Sequence, residues 1–199
     1  MKRTAIPVLG YALLGLIQQK PSSGYDLRKI FAETAMGNYS SSPGAIYPAL
    51  ERLEGGGLIH GTVEETGGMR RRRLYRLSPK GLAALKGWLE RPIQPGDVQR
   101  GAGDLMLRFS FMERVLGANA CIEFLENFRS ALSGYLLELK AFLAGNGASM
   151  PLSSRLAFES GISGYLGLHE WTAYALKEFR KLQNTTHSHT AKPATGGRR

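Results

Sequence analysis

Ser40 to Ile59 reads SSSPGAIYPALERLEGGGLI, and this stretch decides the fold. Ser42 followed by Pro43 has the signature of an N-cap and a first helical residue. The hydroxyl accepts from an orphan amide, and proline lacks only an amide that has no partner there. The helix that starts at this point is stopped by Gly-Gly-Gly at 55–57. Ile46, Leu50 and Leu53 recur at i, i+4 and i+7 and face a core, while Ala45, Pro48 and Arg52 share the outer face. Small outer residues let a helix backbone come close to a surface, and one long cation among them suits a groove in nucleic acid. Pro48 forfeits the bond to the carbonyl of Gly44 and should bend the first turn, either for a functional reason or as a harmless kink.

Working outward, Ile6, Leu9, Leu13 and Ile17 give Thr4–Lys20 a helix with a wide apolar face, ended by Pro21. Ser22 or Ser23 caps a second helix, GYDLRKIFAETAM, in which Tyr25, Leu27, Ile30 and Phe31 supply apolar contacts and Gly37 with Asn38 closes the segment. Past the glycine run, Leu58–Glu64 and Arg72–Leu77 alternate weakly in polarity and read as two strands joined by the turn Glu65-Thr66-Gly67-Gly68. Arg70, Arg71, Arg72 and Arg73 lie on the tip and second strand. Four adjacent arginines alone fit a solvated loop as well as a binding element; a ribbon directly after a helix-turn-helix is a wing, and alternation sends half of them toward a phosphate backbone or minor groove. Ser78-Pro79 starts a further helix to about Arg91, with Leu82, Leu85 and Leu89 inward.

ALLGLIQQKPSSGYDLRKIF, then SPGAIYPALERLEGGGLI and RRRLYRLSPKGLAAL, resemble the winged helix-turn-helix domain of the PadR family of transcriptional regulators, with Ser78 where the family often has Thr and an unusually Arg-rich wing. Several ordered motifs over about 85 residues are far more specific than any one of them. The resemblance implies a homodimeric, usually repressing DNA-binding protein in which Tyr47 approaches the DNA backbone, and effector binding is common in such proteins. The DNA contacts expected here are Ser42, Gly44, Ala45, Tyr47, Pro48 and Arg52 on the helix and Arg70, Arg71, Arg72 and Arg73 on the wing, against a pseudo-palindromic double-stranded operator.

The expected organisation is mainly α with a small β-hairpin wing: a winged domain over 1–91, a linker over 92–103 (PIQPGDVQRGAG), a helical dimerisation domain over 104–183 and a disordered tail over 184–199. In the third of these, a short helix from Asp104 to about Phe111 precedes a long one over Glu113–Leu143 and another over Ser153–Leu182. Leucines at three- or four-residue spacing from Leu125 to Leu143 form a seam for another helix. Such an antiparallel pair is similar to the region of longer PadR-like proteins that embraces the partner subunit; packing within the chain is the alternative. Tyr165, Trp171 and Tyr174 either line an apolar effector cavity or pack the dimer core.

With 199 residues and 43% apolar content the chain can bury a core, and a net charge of +10, concentrated in the N-terminal half, directs attention to a polyanionic partner. No run of eighteen apolar residues is present, so a soluble, cytoplasmic protein without a membrane partner is expected. Cys121 is the only cysteine and excludes an intrachain disulfide. His187 and His189 make a poor metal site, the Gly161–Gly164 run lacks the spacing of a nucleophile elbow, and neither a Walker nor a Rossmann motif occurs. No enzyme, metal or cofactor is therefore expected, and the reading is a homodimeric repressor released by a small-molecule effector. A protein-interaction adaptor that retains a winged domain is the alternative, and a general RNA binder the third reading.

Overall fold

In a computed structural model, which describes residues 6–34, 36, 43–65 and 71–190, the chain divides into two compact units, Met1–Arg91 and Pro92–Arg199. The first is built on α1 (Val8–Gln19), where Ala12, Leu13 and Leu14 are wholly buried and Leu16 and Ile17 nearly so. Around it stand α2 (Gly24–Glu33), α3 (Pro43–Gly55) and α4 (Pro79–Leu89). Leu27 and Phe31 from α2, Ile46, Leu50 and Leu53 from α3, and Leu85 and Leu89 from α4 complete the core. Tyr11 of α1 and Trp88 of α4 stack with centroids 4.7 Å apart, which fixes those two helices side by side. Tyr25, expected among the apolar contacts of α2, is instead 60% exposed, with the Arg28 guanidinium over its ring.

The sheet has one strand more than the expected hairpin. Ser22–Ser23 (β1) pairs antiparallel with Arg71–Leu77 (β3), which also pairs with Ile59–Glu65 (β2), in the order β1-β3-β2. Two residues are too short for alternation to show, so only the pairing reveals β1. The segment between the strands of the wing, residues 66–70, lies outside the described residues, as do Ser42, Gly37 and Asn38.

The glycine run works as expected and more specifically. Leu58 N–H donates to Leu53 C=O at 2.9 Å and Gly57 N–H to Glu54 C=O at 2.8 Å, with Gly57 at φ 68°, a Schellman closure that turns the chain from α3 into β2. Ser78, 4% exposed, caps α4 by accepting from Gly81 N–H at 2.9 Å, and its hydroxyl faces Gly57 C=O at 2.7 Å and Leu58 C=O at 3.0 Å. A Cβ on Gly81 would collide with the Leu58 carbonyl oxygen.

The second unit begins with a departure from expectation. Within the stretch read as a linker, Pro95–Gln99 forms a short helix, α5, because Asp97 accepts from Gln94 N–H at 2.8 Å at its start and Val98 is wholly buried. α6 (Gly103–Leu116) is longer than expected and ends at Gly117, φ 86°, where α7 (Ala118–Asn146) begins; apolar spacing runs through this break and hides it. A 3₁₀ turn at Gly147–Ser149 leads to α8 (Leu152–Thr190), which overruns the expected start of the tail. Residues 168–192 contain neither glycine nor proline, so nothing local stops that helix; 191–199 lie outside the described residues.

Cross-contacts show α7 and α8 to be antiparallel: Phe142 meets Phe158 at 5.2 Å, Ser133 Oγ lies 3.0 Å from His169 Nε2, and Arg180 pairs with Glu126 at 2.7 Å. Leu125, Phe128 and Leu132 of α7 and Ile162, Thr172 and Leu176 of α8 are buried, and Phe109 of α6 packs against the cluster of Leu125, Ala175 and Leu176. Cys121 is also wholly buried, and burial pushes its thiol up to about 11, the behaviour of a small apolar residue. Among the described residues, no helix is long and apolar enough to cross a membrane.

Two glycines of α4 separate packing from propensity. Gly81→Ala should destabilise the chain by about 1–3 kcal/mol through overpacking against Leu58. Gly87→Ala, where a Cβ meets open space, should stabilise it by roughly 0.5–1 kcal/mol. Urea denaturation of the two variants measures both.

Candidate nucleic-acid interface

α3 buries Ile46, Ala49, Leu50 and Leu53 and exposes Gly44, Tyr47, Pro48, Glu51 and Arg52. Of the residues read as an outer face, Pro48 and Arg52 are exposed and Ala45 is half-buried. The helix continues through Pro48. Arg52 forms no ion pair among the described residues, whereas the adjacent Glu51 puts a carboxylate on the same surface. Tyr47 is 46% exposed because one side of its ring is covered: a Cβ on buried Gly24 would stand 2.6 Å from Tyr47 Cε1. The ring therefore rests on the first turn of α2 and holds the phenol beside the outer face of α3.

The β3 arginines whose side chains are described, Arg72, Arg73 and Arg76, each meet a carboxylate. Strand alternation puts Arg72 and Arg76 on one face and Arg73 with Tyr75 on the other. Arg72 bonds to Asp26, Arg73 to Glu54 at 2.7 Å and Arg76 to Glu64 at 2.7 Å. Asp26 is at the same time the capping-box acid of α2, accepting from Ser23 N–H at 3.2 Å and from the Ser23 hydroxyl at 2.9 Å. Burial works to raise the Asp26 carboxyl, but bonds from the Ser23 amide and hydroxyl and from Arg72 outweigh it and hold the group below its ordinary value. Glu54 is likewise held low, first by the bond from Arg73, against burial, with help from Gly61 N–H at 2.9 Å. Arg70 lies outside the described residues, and of Arg71 only the backbone, at the start of β3, is described.

A family model described as the transcriptional regulator PadR-like family matches residues 13–87. The matched residues run from within α1 into α4. The chain is 34% identical over 84 residues to the negative transcriptional regulator PadR of Bacillus subtilis, a match over 42% of this chain and 46% of that protein. It is 45% identical over 53 residues to the transcriptional regulator Rv3488 of Mycobacterium tuberculosis, over 27% of this chain and 49% of that one. The chain thus spans less than half the length of these curated relatives. A crystal structure of Bacillus subtilis PadR in complex with operator DNA aligns at 24% identity with a TM-score of 0.43, over 88% of this chain and 99% of that chain.

The matched region contains the whole of α3 and the described wing, and the aromatics read as lining an effector cavity or packing a dimer core lie beyond it. Tyr165 donates to Val98 C=O at 3.2 Å and meets Tyr135 edge-on at 5.1 Å, Trp171 meets Phe109 edge-on at 5.6 Å, and Tyr174 is 62% exposed. None of the three lines the groove of about 440 Å³ that lies between Pro92–Gln99 and α7. Sequence reasoning missed Asp26, Glu54 and Gly61 in the matched region. Asp26, three residues after Ser23, carried a capping-box signal; Glu54 and Gly61 become partners only through the turn at Gly57.

Because the Asp26 and Glu54 carboxyls titrate below their ordinary values of 3.8 and 4.5, their pairs stabilise the domain fully at neutral pH and lose that contribution as pH falls through the native values. Thermal midpoints measured between about pH 6 and pH 3 should fall, and the fall should be shallower in Glu54→Gln, which has no carboxylate to protonate.

Proposed function

We propose that the chain is a sequence-specific DNA-binding transcriptional regulator, acting as a homodimeric repressor that a small molecule releases. The observation that supports this most is the exposed row of Tyr47, Pro48 and Arg52 on α3, with the wing tied to the end of the same helix. A helix fits a major groove about 12 Å wide, and this one exposes short Gly44 and Pro48 beside the longer Tyr47, Glu51 and Arg52. Arg52 then offers two parallel donors to a guanine edge, and the Tyr47 hydroxyl donates to a phosphate that fixes register. Glu51 disfavours phosphate at its own position, which sharpens the approach of its neighbours.

Dimerisation draws support from the second unit, where Leu137 is 71% exposed and Leu156 and Tyr174 more than half exposed on long helices. A second copy would cover these side chains, and its two-fold symmetry implies a pseudo-palindromic operator with half-sites about one or two turns apart. Repression follows the name of the Bacillus relative, a negative transcriptional regulator. For the effector, the groove beside Tyr135 is of small-molecule size.

Selection from a random duplex pool in moderate salt, with footprinting of the DNA upstream of the coding sequence, tests the reading. Arg52→Ala should lower the ratio of operator to random-duplex affinity by about 5- to 100-fold, and Tyr47→Phe should weaken operator binding about fivefold. A dimer intact by light scattering that selects no duplex would favour the protein-interaction adaptor instead.

A further inference from the structure

One oxygen of Glu54 accepts from both strands of the wing: Gly61 N–H of β2 reaches Oε1 at 2.9 Å and the Arg73 guanidinium of β3 reaches it at 2.7 Å. Glu54 stands on the last turn of α3, and the Schellman closure at Gly57 brings β2 back past it. The space between the three residues is filled. A Cβ on Gly61 would lie 2.8 Å from Glu54 Oε1 and would collide with the Arg73 side chain. Arg73 is held from a further side, its guanidinium carbon 5.8 Å from the centroid of the buried Tyr75 ring. Its side chain remains 51% exposed, so this is a partly solvated clamp whose value lies in geometry more than in stability.

We infer that Glu54 and Arg73 are a positioning pair that fixes the wing against the recognition helix, and that Arg73 makes no phosphate contact. The inference rests on the DNA-binding reading above. An arginine already neutralised by a carboxylate 2.7 Å away displaces no counterion from DNA unless that pair first breaks. A clamp acts differently: it makes helix and wing arrive at the duplex in one fixed relation, which a specific complex needs and a loose, non-specific one does not.

A double-mutant cycle on the full chain, read by operator and random-duplex binding over a range of salt, distinguishes the two roles. Glu54→Ala and Arg73→Ala should each weaken operator binding by a similar factor, about three- to tenfold. The double variant should lose no more than either single one. Arg73→Ala should leave the slope of log K against log salt unchanged, and random-duplex binding should change less than operator binding. Glu54→Gln, which keeps an acceptor for Gly61 N–H, and Arg73→Lys, which keeps a cation near Glu54, should fall between wild type and alanine; both nearly preserve volume and so keep the comparison clear of unfolding.

If Arg73 instead touches phosphate, Arg73→Ala reduces the salt slope by about 0.9, and Glu54→Ala, by unmasking a cation, tightens binding; either result overturns the inference. Effects of the two substitutions that multiply independently overturn it as well. A wild-type chain that selects no duplex overturns the DNA-binding reading and this inference together, whereas a selective wild type with indifferent variants overturns the inference alone.

Discussion

The winged unit depends on one buried hydroxyl. Ser78 Oγ sits between the Gly57 and Leu58 carbonyls and the Gly81 amide, and Ser78 N–H itself donates to Leu58 C=O at 3.0 Å. The end of α3, the start of β2, the end of β3 and the first turn of α4 therefore meet around a single residue. A buried backbone carbonyl left without a donor is destabilising by about 1–3 kcal/mol, so the conformation of the Gly-Gly-Gly turn and the entry into α4 are set together. Lys80 reinforces the arrangement from outside, donating to Gly56 C=O at 2.6 Å and putting a positive charge at the carbonyl end of α3, where the helix dipole favours it.

From that junction the electrostatics of the unit follow a pattern that composition conceals. The chain is strongly basic and its wing more so, yet each wing arginine whose side chain is described meets a carboxylate, on α2, on α3 or on β2. Charge in this hairpin works first as mortar between elements. The sheet is anchored at one edge by β1 and by Arg72 on Asp26, and at the other by Glu54, so the two-stranded projection behaves as part of the helical body. Arg52 differs from them in lying exposed without such a pairing among the described residues.

Much of this was legible in the sequence, and the exceptions share a cause. Helix starts at Ser23 and Ser78, the stop at Gly55–Gly57 and the buried faces of α1 and α3 were readable because caps and periodicity are local properties. The outward placement of Pro48 and Arg52 came from the same periodicity. What failed to show was set by contacts between distant residues. β1 is too short to have a pattern and exists only as the partner of Leu74 and Tyr75. Helix α5 looked like linker because two prolines and three glycines dominate its neighbourhood, while one buried valine and one capping aspartate decide its fold. The acids that hold the wing arginines lie 46, 19 and 12 residues away in sequence, beyond any window in which four adjacent arginines could be weighed.

The seat of the Tyr47 ring on Gly24 ties two positions that belong to different helices into one evolutionary choice. A side chain gained at 24 would have to displace the aromatic ring at 47, and with it the phenol beside α3. Drift at the first residue of α2, a site with no exposed side chain of its own, is thereby coupled to the chemistry of the surface. In an alignment of relatives the two columns would change together.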